Sequence, residues 1–87
     1  MKISKNFKLK NIAGTYAVIP QGDGMVDFSA MITTNEMGAY LWGLLEKDTT
    51  VEEMAEKVLL EFDIDRETAI ADILEFTKKL EEQKVLE

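Results

Sequence analysis

The chain has 87 residues and a formal net charge of −7, with 17 acidic residues against 10 basic ones and neither cysteine nor histidine. A chain this short has room for one core, so residues 1–87 are expected to form a single domain that buries roughly 60–65% of its unfolded surface. The missing thiols and imidazoles remove disulfides, the softer metal ligands and the commonest general base, and a negative field repels phosphate, which argues against nucleic acid or an anionic membrane as partner.

Met1-Lys2-Ile3-Ser4-Lys5-Asn6 lacks the apolar stretch of a signal peptide. No segment approaches the ~18 apolar residues that a spanning helix needs. The expectation is a soluble, cytoplasmic protein. Its charge is uneven: Lys2, Lys5, Lys8 and Lys10 nearly balance Asp23, Asp27 and Glu36 in residues 1–45, and the remainder carries the acidity.

Phe7 and Leu9 alternate with Lys8 and Lys10, which predicts a first strand reaching Ile12. Ala13-Gly14 permits a turn, and Thr15-Tyr16-Ala17-Val18-Ile19-Pro20 is rich in strand formers. Gln21-Gly22-Asp23-Gly24 is the strongest turn signal in the chain. A third strand follows, with Val26, Phe28, Ala30 and Ile32 on one face and Met25, Asp27, Ser29, Met31 and Thr33 on the other. In an antiparallel meander this third strand is an edge, with backbone N–H and C=O groups left for a further strand.

Thr33-Thr34-Asn35 ends the alternation, and a helix over 36–46 is predicted with Asn35 or Thr34 as its N-cap and Met37, Tyr40, Leu41 and Leu44 on its inner face. Gly38 and Gly43 allow close packing there. Trp42 falls off that face, yet a lone tryptophan in a small domain is read first as a core or boundary residue. Thr50-Val51-Glu52-Glu53 fits a capping box that opens a second helix, whose stripe is Val51, Met54, Ala55, Val58, Leu59 and Phe62. Asp65 is the expected cap of a third helix over 66–83.

The last helix has more apolar surface than a core stripe needs. Ala69, Ile73, Phe76, Thr77 and Leu80 form one arc, and Ile70 and Leu74 widen it. Either the helix is clamped on both sides, or Ile70 and Leu74 line a groove beside the third strand, flanked by Glu67, Ala71, Glu75 and Lys78. The candidate peptide-binding set is therefore Met25, Val26, Asp27, Phe28, Ser29, Ala30, Met31, Ile32 and Thr33 on the strand, with Glu67, Ile70, Ala71, Leu74, Glu75 and Lys78 on the helix. Asp63 and Asp65 fall short of a calcium loop's ligand count, and the scattered carboxylates show no convergent catalytic pair. No cofactor, metal or catalytic residue is expected.

Ile12-Ala13-Gly14, Ile19-Pro20, the run from Ile32 through Asn35 to Leu41-Trp42, and Asp72-Ile73-Leu74-Glu75-Phe76-Thr77-Lys78-Lys79-Leu80, in this order and spacing, resemble the coenzyme PQQ synthesis protein D family, also called the RiPP recognition element. The resemblance implies an α+β, winged-helix-like fold: a three-stranded antiparallel sheet followed by three helices. It also implies a non-catalytic protein that holds the leader of a ribosomally made precursor peptide as an added strand beside its third strand and against its last helix. The modifying enzyme it serves is then expected to be a radical SAM maturase. Two positions depart from the family pattern: Gln83-Lys84 stands where a glycine is usual, and Thr34 where leucine is usual. Neither falls on the expected binding surface.

Two rival readings use the same residues. A general protein-interaction module would use the same strand edge. A winged-helix DNA-binding regulator would place its last helix in the major groove, against which Glu67, Asp72, Glu75, Glu81 and Glu82 argue. The free edge also predicts a weak homodimer through the third strand.

Overall fold

A computed structural model describes residues 1–20 and 32–87. Strands β1 (Phe7–Ile12), β2 (Thr15–Pro20) and β3 (Ile32–Thr34) precede helices α1 (Glu36–Leu45), α2 (Val51–Glu61) and α3 (Arg66–Glu82). The sheet order is β1-β2-β3 and both pairings are antiparallel, the α+β arrangement expected from the sequence. The turn Gln21-Gly22-Asp23-Gly24 and the strand positions Met25, Val26, Asp27, Phe28, Ser29, Ala30 and Met31 lie outside the described residues.

The β1–β2 hairpin is closed by two residues, because Ile12 pairs with Thr15 across Ala13-Gly14. Both loop residues have positive φ, 52° at Ala13 and 86° at Gly14, as a tight turn matched to the twist of its strands requires. The Asn11 carboxamide oxygen accepts the Gly14 N–H at 3.0 Å and holds the turn. Phe7 and Leu9 lie half-buried against the core while Lys8 and Lys10 are exposed, as the alternation predicts. In β3, Ile32 pairs with Val18 and packs on the core, and Thr33 points outward.

Each helix start follows from local chemistry. Asn35 is extended and its side chain accepts the Gly38 N–H at 3.0 Å, which opens α1. The Thr50 hydroxyl accepts the Glu53 N–H at 3.2 Å, but the Glu53 carboxylate takes the Thr49 hydroxyl at 3.1 Å instead of turning back to the cap, so half of the capping box forms. Asp65 holds the cap position of α3 with extended backbone, yet its side chain makes no capping hydrogen bond.

The core joins Leu41, Trp42 and Leu45 of α1 to Met54, Ala55 and Val58 of α2, to Ala69, Ile73, Phe76 and Leu80 of α3, and to Val18 of β2. The α3 arc is the one its periodicity predicts, Thr77 included. The α1 face is rotated from the expected one. Gly38, Leu41, Trp42 and Leu45 are deepest, and Met37, Tyr40 and Leu44 sit at the margin. The cause is the N-terminal segment, where Ile3 is buried and donates its N–H to Leu45 O at 2.9 Å. That segment covers the side of α1 that carries Trp42. Tyr40 meets Phe62 edge-on at 5.3 Å between centroids, and burial and then the charge of Glu61 raise its phenol above its ordinary pKa.

Helix α3 ends in a left-handed turn. Lys84 has φ 59°, its N–H donates to Glu81 O at 3.0 Å and the Val85 N–H to Leu80 O at 2.8 Å, the paired bonds of a Schellman closure. The usual glycine of the resembled family thus has a physical meaning, and here lysine bears the αL conformation. Beyond it Leu86 bridges to Ile3.

Candidate functional site

The described part of β3 is an edge: β2 pairs with one side, and among the described residues no strand pairs with the other. Beside its end lies a groove of about 140 Å³ between the first turn of α1 and the middle of α3. Thr34 and Asn35 form one lip, Met37, Gly38 and Leu41 the floor, and Asp72, Glu75, Phe76 and Lys79 the far wall. Local rules assemble it. Asn35 ends the strand and starts the helix in one residue, and Gly38 lets the strand approach, since a Cβ there would collide with the Thr34 side chain.

The far wall is a single flank of α3, because 72, 75, 76 and 79 are spaced as neighbours on a helix surface. Phe76 anchors it in the core, while Glu75 and Lys79 stand in solvent with Oε1 and Nζ 3.6 Å apart. Such an exposed pair contributes little to stability, so both groups remain available to a ligand. A mainly polar groove with Met37 in its floor and two carboxylates and one ammonium on its far wall suits an extended peptide that carries a basic side chain and a small apolar anchor.

Of the candidate residues, Ile32 and Thr33 form the described start of β3, and Glu75 lines the groove. Ile70 packs on the core, and Leu74 is 51% exposed. Helical rotation places Glu67, Ala71, Leu74 and Lys78 with Ile70 on the flank turned away from the groove wall. All four are exposed. Sequence reasoning missed Asp72 and Lys79 as groove residues and read Phe76 as core alone. Their i, i+3, i+4, i+7 spacing with Glu75 was the available signal. It also missed Thr34, which lines the groove, so the family departure at that position does fall on this surface.

Residues 16–86 match the family model described as coenzyme PQQ synthesis protein D. No curated protein sequence gives a significant match. Among solved structures, TbiB1 in complex with the TbiA(beta) leader peptide is similar over all of this chain and 95% of its own, with a TM-score of 0.74 and 25% identity.

Proposed function

This chain belongs to the coenzyme PQQ synthesis protein D family, and on that premise we propose that it is a leader-peptide-binding protein without catalysis of its own. It takes the leader of a ribosomally made precursor as a strand added to β3 and laid against α3, and presents the following segment to a modifying enzyme, a radical SAM maturase. The observation that carries this reading is the full-length likeness to TbiB1, a protein solved with a leader peptide bound, joined to a β3 edge that no strand covers among the described residues and the groove beside it.

Main-chain hydrogen bonds along the edge would align the leader with little regard to its sequence, and side-chain pockets would fix its register. A micromolar complex needs about 8 kcal/mol. One buried leucine or isoleucine of the ligand contributes about 1.5–3 kcal/mol before ordering costs, so a few anchors and one strand pairing are sufficient. We assign the helix contact to the flank carrying Asp72, Glu75, Phe76 and Lys79. The same edge would let two copies pair weakly through β3 in competition with the leader, and sedimentation that stays monomeric up to millimolar protein would remove that dimer.

The test is an amide NMR titration with the leader half of a precursor encoded beside this gene. Shifts gathered in 25–34 and along 72–79 are the expected result. Shifts along 67–78 with 72, 76 and 79 silent would move the leader to the other flank. Silence throughout at near-millimolar peptide would end the leader reading.

A further inference from the structure

The α3 wall of the groove beside β3 carries charges that contribute little to the fold. Asp72 and Lys79 both line it, ~10.5 Å apart along the helix axis. Phe76 lies between them and belongs to the core, so the two charges act as separate points. Asp72 is half-buried, and its carboxylate has no ion-pair or hydrogen-bond partner among the described residues. Glu75, one turn beyond Asp72, approaches Lys79 only to 3.6 Å, with both side chains largely in solvent, longer than a good hydrogen bond. From Asp72 through Glu75 to Lys79 the wall therefore reads negative, negative, positive.

An extended peptide laid along this wall can set a basic side chain between Asp72 and Glu75 and an acidic one against Lys79. Those two contact points are about 8 Å apart along the helix. Residues i and i+2 of a strand share a face and lie about 6.6–6.8 Å apart, a difference that long side chains take up, whereas i and i+4, at about 13 Å, overshoot. We propose that the groove reads a pair of opposite charges two residues apart in the leader, and that their order sets the direction in which the leader lies. The proposal rests on the leader-binding reading and deepens it. Main-chain pairing to a strand edge can be parallel or antiparallel and does not fix direction by itself. A leader laid the wrong way would set its base against Lys79 and its acid against Asp72, and like charges brought together at an interface are strongly disfavoured. The bound strand also takes water from Asp72, so a leader with no cation there leaves a buried charge unpaired. Direction matters because the segment that follows the leader must leave the groove at one end, where the modifying enzyme meets it.

The experiment titrates the whole chain, labelled for amide NMR, with two peptides: the leader half of the precursor encoded beside this gene, and a copy whose basic and acidic residues at i and i+2 are exchanged. The native leader should bind about tenfold or more tighter than the exchanged copy, and the gap should narrow as salt rises. The double variant Asp72→Lys with Lys79→Glu turns the wall into its mirror, positive, negative, negative, at constant net charge. It should reverse the preference, and each single variant should weaken the native leader. Both side chains reach solvent, so these variants should melt close to wild type, and thermal melts separate lost recognition from lost fold. A native leader that binds without such a charge pair, equal binding of the two peptides, or a preference that the double variant does not reverse would overturn the charge code and leave the leader reading standing. Silence at 25–34 and 72–79 toward the native leader would overturn both.

Discussion

Single backbone positions carry more of this fold than their side chains suggest. Lys84 closes α3 in the left-handed region, which costs an L-residue about 1–2 kcal/mol relative to the right-handed one. Lys84→Gly should therefore stabilise the protein by about 1 kcal/mol and raise Tm by about 4–8 °C in a thermal melt. An unchanged or lower Tm would show that the left-handed position stores no strain for glycine to relieve. Gly38→Ala tests the opposite case. The new methyl group must displace Thr34, and overpacking of this kind costs about 1–3 kcal/mol, read as a lower urea midpoint. The substitution should also weaken leader binding, because Thr34 and Gly38 lie side by side in the groove. A need for close packing at Gly38 was legible in the sequence. The end of α3 was also legible to within a residue, but the αL conformation at Lys84 was not, because lysine is a good helix former that seldom adopts it.

At the scale of the element, α3 separates stability from recognition. Ile73 is fully buried and Phe76 nearly so, and replacing either with alanine should cost about 2–5 kcal/mol in denaturant titration. Leu74→Glu should leave the unfolding midpoint within about 0.5 kcal/mol of wild type, since half of the side chain already meets solvent. If leader affinity falls with Lys79→Glu and not with Leu74→Glu, the assigned flank holds; the reverse would restore Ile70 and Leu74 as the contact. The buried arc of α3 was legible because helical periodicity reports which residues face a core. Periodicity does not say which margin of that arc faces a strand and which faces solvent. That choice depends on where the sheet lies, and it separates Asp72, Glu75 and Lys79 from Leu74. The rotated face of α1 has the same origin, since the residues that cover Trp42 come from a segment with no repeating pattern.

Across the whole molecule, the two ends of the described chain are fastened to each other and to the α1–α2 connection. The Met1 ammonium donates to Asp48 Oδ1 at 2.8 Å and to Thr49 O at 2.7 Å, and the Glu87 N–H donates to Lys2 O at 2.8 Å. The hydrogen bond and then the charge of that ammonium hold the Asp48 carboxyl below its ordinary value of 3.8. A lowered folded-state pKa supplies stability above the unfolded-state value and loses it as pH falls through the folded one. The loss therefore belongs below about pH 4. Asp48→Asn should melt below wild type at neutral pH and converge with it in strong acid; a constant gap across that range would assign the effect to packing.

This fastening has a topological consequence. Because Ile3 bridges to Leu86 and Glu87 donates to Lys2, entry and exit of the chain lie a few ångströms apart, on the order of one strand spacing. A unit whose ends meet can be spliced into a surface loop of a larger host without stretching that loop, or have its ends joined and a new break opened elsewhere. The same domain can thus ride inside another polypeptide with the described part of β3 still turned away from the point of insertion.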